Sequence, residues 1–510
     1  MTGTEPSPGP QSGAGGDAFD RDALAAQLRV ELRGSVFSGV KERALYATDA
    51  SNYRRVPDLV VLPADVEDLA AAVTLTGAAG APVTLRGGGT SMAGNAIGGV
   101  VIDVSRHVNQ IIDVDPVSRT ATVEPGVVPT DLATAAAKHG LTFGVDPSSG
   151  SRATLGGMIA NNACGAHSVA WGTTADNVVA LDAMLADGER LTLRVPEPGM
   201  DAGLRRDALS DRPGREGELC RRLVALVDEN DLLIRHRFPP YSRRISGYAL
   251  DRLLPERGHD VARLLCGSEG TLATTLRATV ALTPLPAAKV LLVLGFPTSS
   301  RAADCVPALL PHRPLTVESI NATLVDRLPD QVRAEAIAAG MPAGQAWLLV
   351  EVGGSSQDEA AAAASVVSVA AMDTGLPVAA SVVSKAAAQA VLWRCRRDGT
   401  GLATRRVDGA EAWGGWEDAA VPAAKLAGYL NSLDELLGRY QLSGASYGHF
   451  GDGCLHLRID FDFLTDSGVR RYRSFVEEAT ELVVSLGGSV SGEHGDGRAR
   501  SEMLGRMYGD

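Results

Sequence analysis

The ten residues Arg86 to Asn95 read Arg-Gly-Gly-Gly-Thr-Ser-Met-Ala-Gly-Asn and follow directly on the strand-like run Pro82-Val-Thr-Leu-Arg86. Glycine lets a backbone come close to a ligand, and successive N–H groups in such a loop make a concave anion site suited to a pyrophosphate. The spacing matches neither G-x-G-x-x-G opening a helix nor G-x-x-x-x-G-K-[ST], so Rossmann and P-loop folds are excluded. Taken alone, the run reads equally well as a surface turn.

The surrounding text has an α+β order and no regular βαβ series. Arg21 to Arg33 has helical spacing, Asp58 to Pro63 is a short buried strand, and Asp65 is the N-cap of a helix running to Ala79. Strands are expected at Val100–Val104, Ile111–Val114 and Thr120–Glu124, with a helix over Asp131–His139. Glycine and asparagine stay dense through Ala180, as where backbone lines a site. Pro284-Leu-Pro286 punctuates a boundary. A second α+β unit follows, with strands at Lys289–Gly295 and Gln345–Val352 and an alanine-rich helix over Ala360–Met372. The expected division is a disordered tail over residues 1–20, a first domain over 21–285, a second over 286–487, and a segment 488–510 returning to the first.

At 510 residues, two or three domains are expected, and 45% hydrophobic with 21% charged residues describes a globular protein. A net charge of −13 argues against a nucleic-acid surface. The six cysteines (Cys164, Cys220, Cys266, Cys305, Cys395, Cys454) form no C-x-x-C pair, which suits free thiols in a reducing, cytoplasmic setting and argues against an iron–sulfur cluster held by local cysteine runs. Peripheral membrane association stays open. No stretch approaches 18 apolar residues, so no membrane span is expected.

Two glycine-flanked segments carry three of the nine histidines: Gly448-His-Phe-Gly-Asp-Gly-Cys-Leu-His456 and Gly492-Glu-His-Gly-Asp-Gly497. The first reads as a hairpin, because Leu455, Leu457, Ile459 and Phe461 alternate with polar residues. A two-residue Asp452-Gly453 loop would pair Phe450 with Leu455 and set His449 directly opposite His456. Two imidazoles so placed can chelate a divalent ion when a third ligand completes the set. A metal-free histidine pair is the plain alternative. In the second segment, one of Glu493 and His494 can ligate while the other serves as a base.

Six motifs recur in an order that resembles a known family. Arg86 to Asn95 is followed by Glu124-Pro-Gly-Val127, Pro147-Ser-Ser-Gly150, Thr154-Leu-Gly-Gly-Met-Ile-Ala-Asn-Asn-Ala-Cys-Gly165, Trp171-Gly-Thr-Thr-Ala-Asp-Asn-Val178 and Gly267-Ser-Glu-Gly-Thr-Leu272. Over about Pro57 to Pro284 this set is similar to the PCMH-type FAD-binding domain of the vanillyl-alcohol-oxidase (FAD-linked oxidase) superfamily. The resemblance implies an α+β fold, a PCMH-type domain followed by a substrate or cap domain with an antiparallel sheet. It implies FAD contacts from Arg86, Gly87, Gly88, Gly89, Thr90, Ser91 and Asn95 at the pyrophosphate. Pro147, Ser149, Gly150, Gly156, Gly157, Asn161 and Gly165 would line the flavin, and Thr173, Asp176, Val178, Glu269 and Gly270 would add contacts. The first loop lacks the histidine through which some relatives tether FAD, so non-covalent FAD is expected; His167 reads as a hydrogen-bonded structural residue.

The strings G-H-x-G-D-G-x-L-H and G-E-H-G resemble those of FAD-dependent 2-hydroxyacid dehydrogenases acting on D-lactate, glycolate or D-2-hydroxyglutarate. That resemblance implies His449, His456 and Glu493 as ligands of a divalent metal, usually zinc, and His494 as catalytic base. Arg396 and Thr400, in Trp393-Arg-Cys-Arg396 and after, would grip the substrate carboxylate. Trp416, Cys454 and Arg458 depart from the family pattern and leave the identity of the acid open. The resemblance also implies an electron acceptor or iron–sulfur partner outside this chain, with segment 488–510 truncated relative to relatives. The competing readings are a zinc hydrolase, on the His/His/Glu set alone, and a non-catalytic flavoprotein electron-transfer subunit.

Overall fold

The computed structural model describes residues 19–509 apart from 198, 239, 240, 242, 407, 408 and 410, and leaves out the side chain of residue 400. Most of the expected tail therefore lies outside the described residues, as does the Thr400 side chain.

Asp65 caps the helix Val66–Ala78, its carboxylate accepting from Glu67 N and Asp68 N, and the apolar face of that helix packs on a four-stranded sheet. Strands Leu59–Leu62, Val100–Asp103 and Val83–Arg86 run parallel in that sheet, so the glycine loop leaves the C-terminal edge of its last strand. A second, five-stranded antiparallel sheet contains Ile111–Asp115, Thr120–Val123, Val178–Met184, Arg190–Arg194 and Thr274–Ala281. The 24-residue helix Gly214–Arg237 was not expected from the sequence.

Sheet membership changes between Pro284, paired with Leu141, and Ala288, which opens a six-stranded antiparallel sheet. Both faces of its interior strand Ala288–Phe296, second from one edge, are covered. Val290, Leu292 and Leu294 face the helices Ser299–Leu309, Gln357–Asp373 and Leu426–Arg439, while Leu291 and Val293 face Trp347 and Leu392. Each such side chain, fully buried, contributes about 1.5–3 kcal/mol, so this sheet is a rigid platform for whatever its last strands carry.

Those last strands are Gly444–His449 and Cys454–Ile459, and their register corrects the two-residue loop. Tyr447, not His449, lies opposite His456, and His449 pairs with Cys454. Residues 450–453 form the turn, beginning with a 3-10 turn over Phe450–Asp452. Tertiary contacts widen it: Phe450 is drawn into the core and Asp452 is bound by Arg243. Gly453 closes the turn at φ +71°, where a Cβ would lie 1.8 Å from the Val421 carbonyl oxygen. The shift is two residues, so His449 and His456 keep the same face, as diagonal neighbours.

The return segment threads back to the first unit: Arg498 N bonds the Ala93 carbonyl and Tyr508 Oη the Ser246 carbonyl. No helix among the described residues is long and apolar enough to cross a membrane.

Candidate active site

A cavity of about 720 Å³ opens where the glycine loops meet the histidine segments. Its walls include Arg86, Gly87, Gly88, Gly89, Thr90, Ser91 and Asn95, then Pro147, Ser149, Gly156, Gly157, Asn161, Glu269 and Gly270. The first loop is tightly backed: a Cβ on Gly87 would lie 2.0 Å from Thr154 Oγ1, and one on Gly88 2.0 Å from the Arg152 carbonyl oxygen. The backbone N–H groups of residues 88–91 donate to no acceptor among the described residues. Free donors in a glycine cradle fit a pyrophosphate.

Five expected flavin contacts are not on this wall. Gly150 closes a turn onto the Pro147 carbonyl. Gly165 gives its carbonyl to Arg243. Asp176 accepts from Thr173 N and Oγ1, both at 3.0 Å, and pairs with Arg252, so those two residues brace a short helix. Val178 is buried at the start of a strand. His167 is hydrogen-bonded as expected, with Nδ1 2.6 Å from Asp146 and Nε2 3.0 Å from Glu351, its ring stacked on Trp171. It joins the two units across their seam.

The far end of the cavity is lined by Tyr447, His456, Arg458, Glu493, His494 and Glu417. Glu493 Oε1 sits among three imidazoles: His456 Nε2 at 3.1 Å, His494 Nε2 at 3.4 Å and His449 Nε2 at 3.5 Å. The rear nitrogens are occupied. His449 Nδ1 is 2.6 Å from Glu318 Oε1, and His456 Nδ1 is 3.1 Å from the Glu417 carbonyl, which can only accept. Nδ1 of His456 therefore carries the proton, leaving the Nε2 lone pair toward Glu493, the orientation of a metal-ligating histidine. One donor atom each from His449, His456 and Glu493 lies within 4.8 Å of the others. Two oriented imidazoles and a carboxylate fit a divalent cation.

Charge is dense here. Burial works against ionisation of His449, yet Glu318 and Glu493 hold it up to about 9. Burial likewise opposes the Glu318 carboxylate, which His449 and Arg396 bring down to about 2. His456 is pushed below its ordinary value by burial. His494, against the cost of burial, is held well above its ordinary value by Asp418 and Glu417. Its Nδ1 is 2.8 Å from Glu417 Oε1, an ion-pair contact outside hydrogen-bond direction. Asp418 receives the backbone N–H groups of Gly492, Glu493 and His494 and so shapes the Glu-His turn. Asn161 Nδ2 donates to the His494 carbonyl at 3.0 Å and Asn95 bridges Asn161 and Glu269, which ties the flavin wall to that turn.

Arg396, expected on the substrate, is not on the cavity wall. Its guanidinium is buried, ion-paired to Glu318 at 3.0 Å and set over the ring of Tyr447. The arginine on the wall at the histidine end is Arg458, paired with Glu417, its Nε without a hydrogen-bond partner. Sequence reading missed Arg243, Glu318, Glu417 and Asp418 as site residues. Glu318 carried one signal, as the lone charged residue in the strand Thr316–Asn321.

Comparison with known proteins bears on the family and the fold. Residues 57–194 match the family model described as FAD binding domain, and residues 285–510 match FAD linked oxidases, C-terminal domain. A D-lactate dehydrogenase of Archaeoglobus fulgidus is 30% identical over 88% of this chain and 85% of its own. A D-2-hydroxyglutarate dehydrogenase of Pseudomonas putida is 31% identical over 96% of this chain but 49% of its own, so the chain spans about half the length of that relative. The solved structure of p-cresol methylhydroxylase with substrate bound superposes with a TM-score of 0.66 at 15% identity, covering 96% of this chain and 92% of that one, which shows a shared fold.

Proposed function

Because this chain belongs to the FAD-linked oxidases, we propose that it is an FAD-dependent dehydrogenase oxidising a small D-2-hydroxy acid to the 2-oxo acid. The observation that carries this reading is that His456, Glu493 and His494, with His449 grouped behind them, open into the same cavity as the glycine cradle. The named activities of the matched dehydrogenases support it.

FAD, held non-covalently along residues 86–95 and 147–161, would supply the hydride acceptor. A divalent cation, zinc by its fit to two imidazoles and a carboxylate, would be held by His449, His456 and Glu493 and supply Lewis acidity that lowers the pKa of the substrate hydroxyl. A cation held beside His494 would offset the pull of Glu417 and Asp418 and leave its imidazole neutral. His494 lines the cavity beside those ligands and would then take the hydroxyl proton on Nε2, with Glu417 behind Nδ1 stabilising the imidazolium that results. Arg458 receives the substrate carboxylate, since it is the arginine on the wall at this end and its Nε remains unspent. Arg396 acts one layer back, fixing Glu318 and through it the ring of His449. Reoxidation of the flavin is assigned to a separate electron acceptor.

The test is anaerobic. The purified flavoprotein is mixed with D and L forms of lactate, 2-hydroxyglutarate and other 2-hydroxy acids, and with glycolate. Bleaching of the flavin absorbance by one or more acids, D over L where chiral, is expected. A protein that carries flavin and bleaches with none of them would sink the proposal.

A further inference from the structure

Arg243 is wholly enclosed, with 0% of its side chain exposed, in a segment more than two hundred residues away in sequence from the histidines. Taking a guanidinium out of water costs several kcal/mol unless its donors are met. Here Nη1 donates to Glu493 Oε2 at 3.0 Å, Nε to Asp452 Oδ2 at 3.1 Å and Nη2 to the Gly165 carbonyl at 2.8 Å. We propose that Arg243 is the positioning residue that locks the Glu493 carboxylate and couples the metal-binding segments to the flavin loop; this rests on the metal reading above.

A carboxylate on a glycine-flanked turn is free to rotate and to offer either oxygen. With Oε2 bound to Arg243, Oε1 alone faces the Nε2 atoms of His449, His456 and His494. The same guanidinium holds Asp452, in the turn that follows His449. One side chain therefore fixes two of the three ligand-bearing segments against each other. Through Gly165 it also anchors the loop that follows Cys164 on the cavity wall. The planar fork suits this three-way task, whereas a lysine ammonium on its flexible stem cannot meet the same acceptors together.

The experiment compares FAD-loaded wild type with R243K and D452N. Each is checked for flavin content and thermal midpoint, then titrated with Zn(II) against a chelator and with Co(II) followed by visible absorption. We expect R243K to retain FAD while its metal Kd weakens about 10- to 100-fold, the range for losing a partner that orients a ligand, with an altered Co(II) spectrum. D452N should move the same way by less. An R243K protein that holds FAD and binds both metals with wild-type Kd and spectrum would overturn the assignment. Should R243K fail to load FAD, D452N decides: an unchanged Kd and spectrum overturn the proposal, and a weakened Kd supports it. If wild type binds no divalent ion, the metal reading falls and takes this one with it. If wild type binds and the variants match it, only the role of Arg243 falls.

Discussion

The two ends of the cavity are built on opposite plans. The flavin end is made of backbone: loops 86–95 and 147–161 have few side chains that matter, and the absence of side chains is what shapes them. The histidine end is made of side chains, with Glu318, Glu417, Asp418, Arg243 and Arg396 ranked behind His449, His456, Glu493 and His494. A backbone cradle fails where an added side chain meets backbone already packed against it, and an ionic cluster fails when a partner is removed. Substitutions should therefore act in opposite senses at the two ends.

The largest effect is expected at the ionic end. His449→Ala removes a proposed ligand and takes from Glu318 and Glu493 one of their buried partners. Metal content should fall to background and kcat by about a thousandfold or more, equivalent to ~4 kcal/mol of lost transition-state stabilisation, while flavin content stays close to wild type. Stoichiometric metal in that variant would break the comparison. At the other end, Gly88→Ala should leave metal sites alone yet abolish FAD retention, because its methyl meets the Arg152 carbonyl and overpacking of this kind costs about 1–3 kcal/mol. Gly157→Ala, whose methyl would sit an ordinary 3.4 Å from Thr154 Oγ1, should keep FAD. Equal flavin content in the two alanine variants would show that the cradle is not backbone-limited.

A smaller effect separates the two arginines. Arg458→Met should raise KM about 10- to 100-fold, the worth of a charged hydrogen bond, whereas Arg396→Met should lower kcat with a lesser change in KM. The reverse pattern would return the carboxylate to Arg396. A further effect lies outside both ends, at the seam. Burial opposes the charge on His167, but Asp146 and Glu351 raise its pKa to about 9. A histidine raised above its unfolded value of about 6.5 contributes stability that is fully present below that pH and is lost as pH rises through about 9. The stability gap between wild type and His167→Gln should thus shrink between pH 6.5 and 9, by at most ~2–3 kcal/mol. A gap constant over that range in denaturant titrations would refute the ion-pair account of the seam.

The backbone-made end was the legible one. The glycine-rich motifs are local, and the family resemblance they carry in order implied residues 86–91, 95, 147, 149, 156, 157, 161, 269 and 270, which the fold brings to one wall. Thr173, Asp176 and Val178 stood in the same glycine-rich text but serve a helix end and a strand, and nothing local distinguishes those duties. In the hairpin, the period-two pattern specified which face each histidine takes. It left the register open, because a slip of two residues preserves the face and only Phe450 and Asp452, claimed by the core and by Arg243, decide it.

The sequence by itself determined the α+β order, the capped helix at Asp65, the glycine cradle and the presence of two glycine-flanked histidine turns. These depend on backbone permissiveness and on periodicity, both local. Tertiary structure alone decided the partners: Glu318 behind His449 from 131 residues away, Arg243 on Glu493 from 250 away, Arg396 turned from the cavity and Arg458 placed on its wall. A buried charge takes its meaning from whichever opposite charge the fold brings within about 3 Å, and no spacing along the chain encodes that.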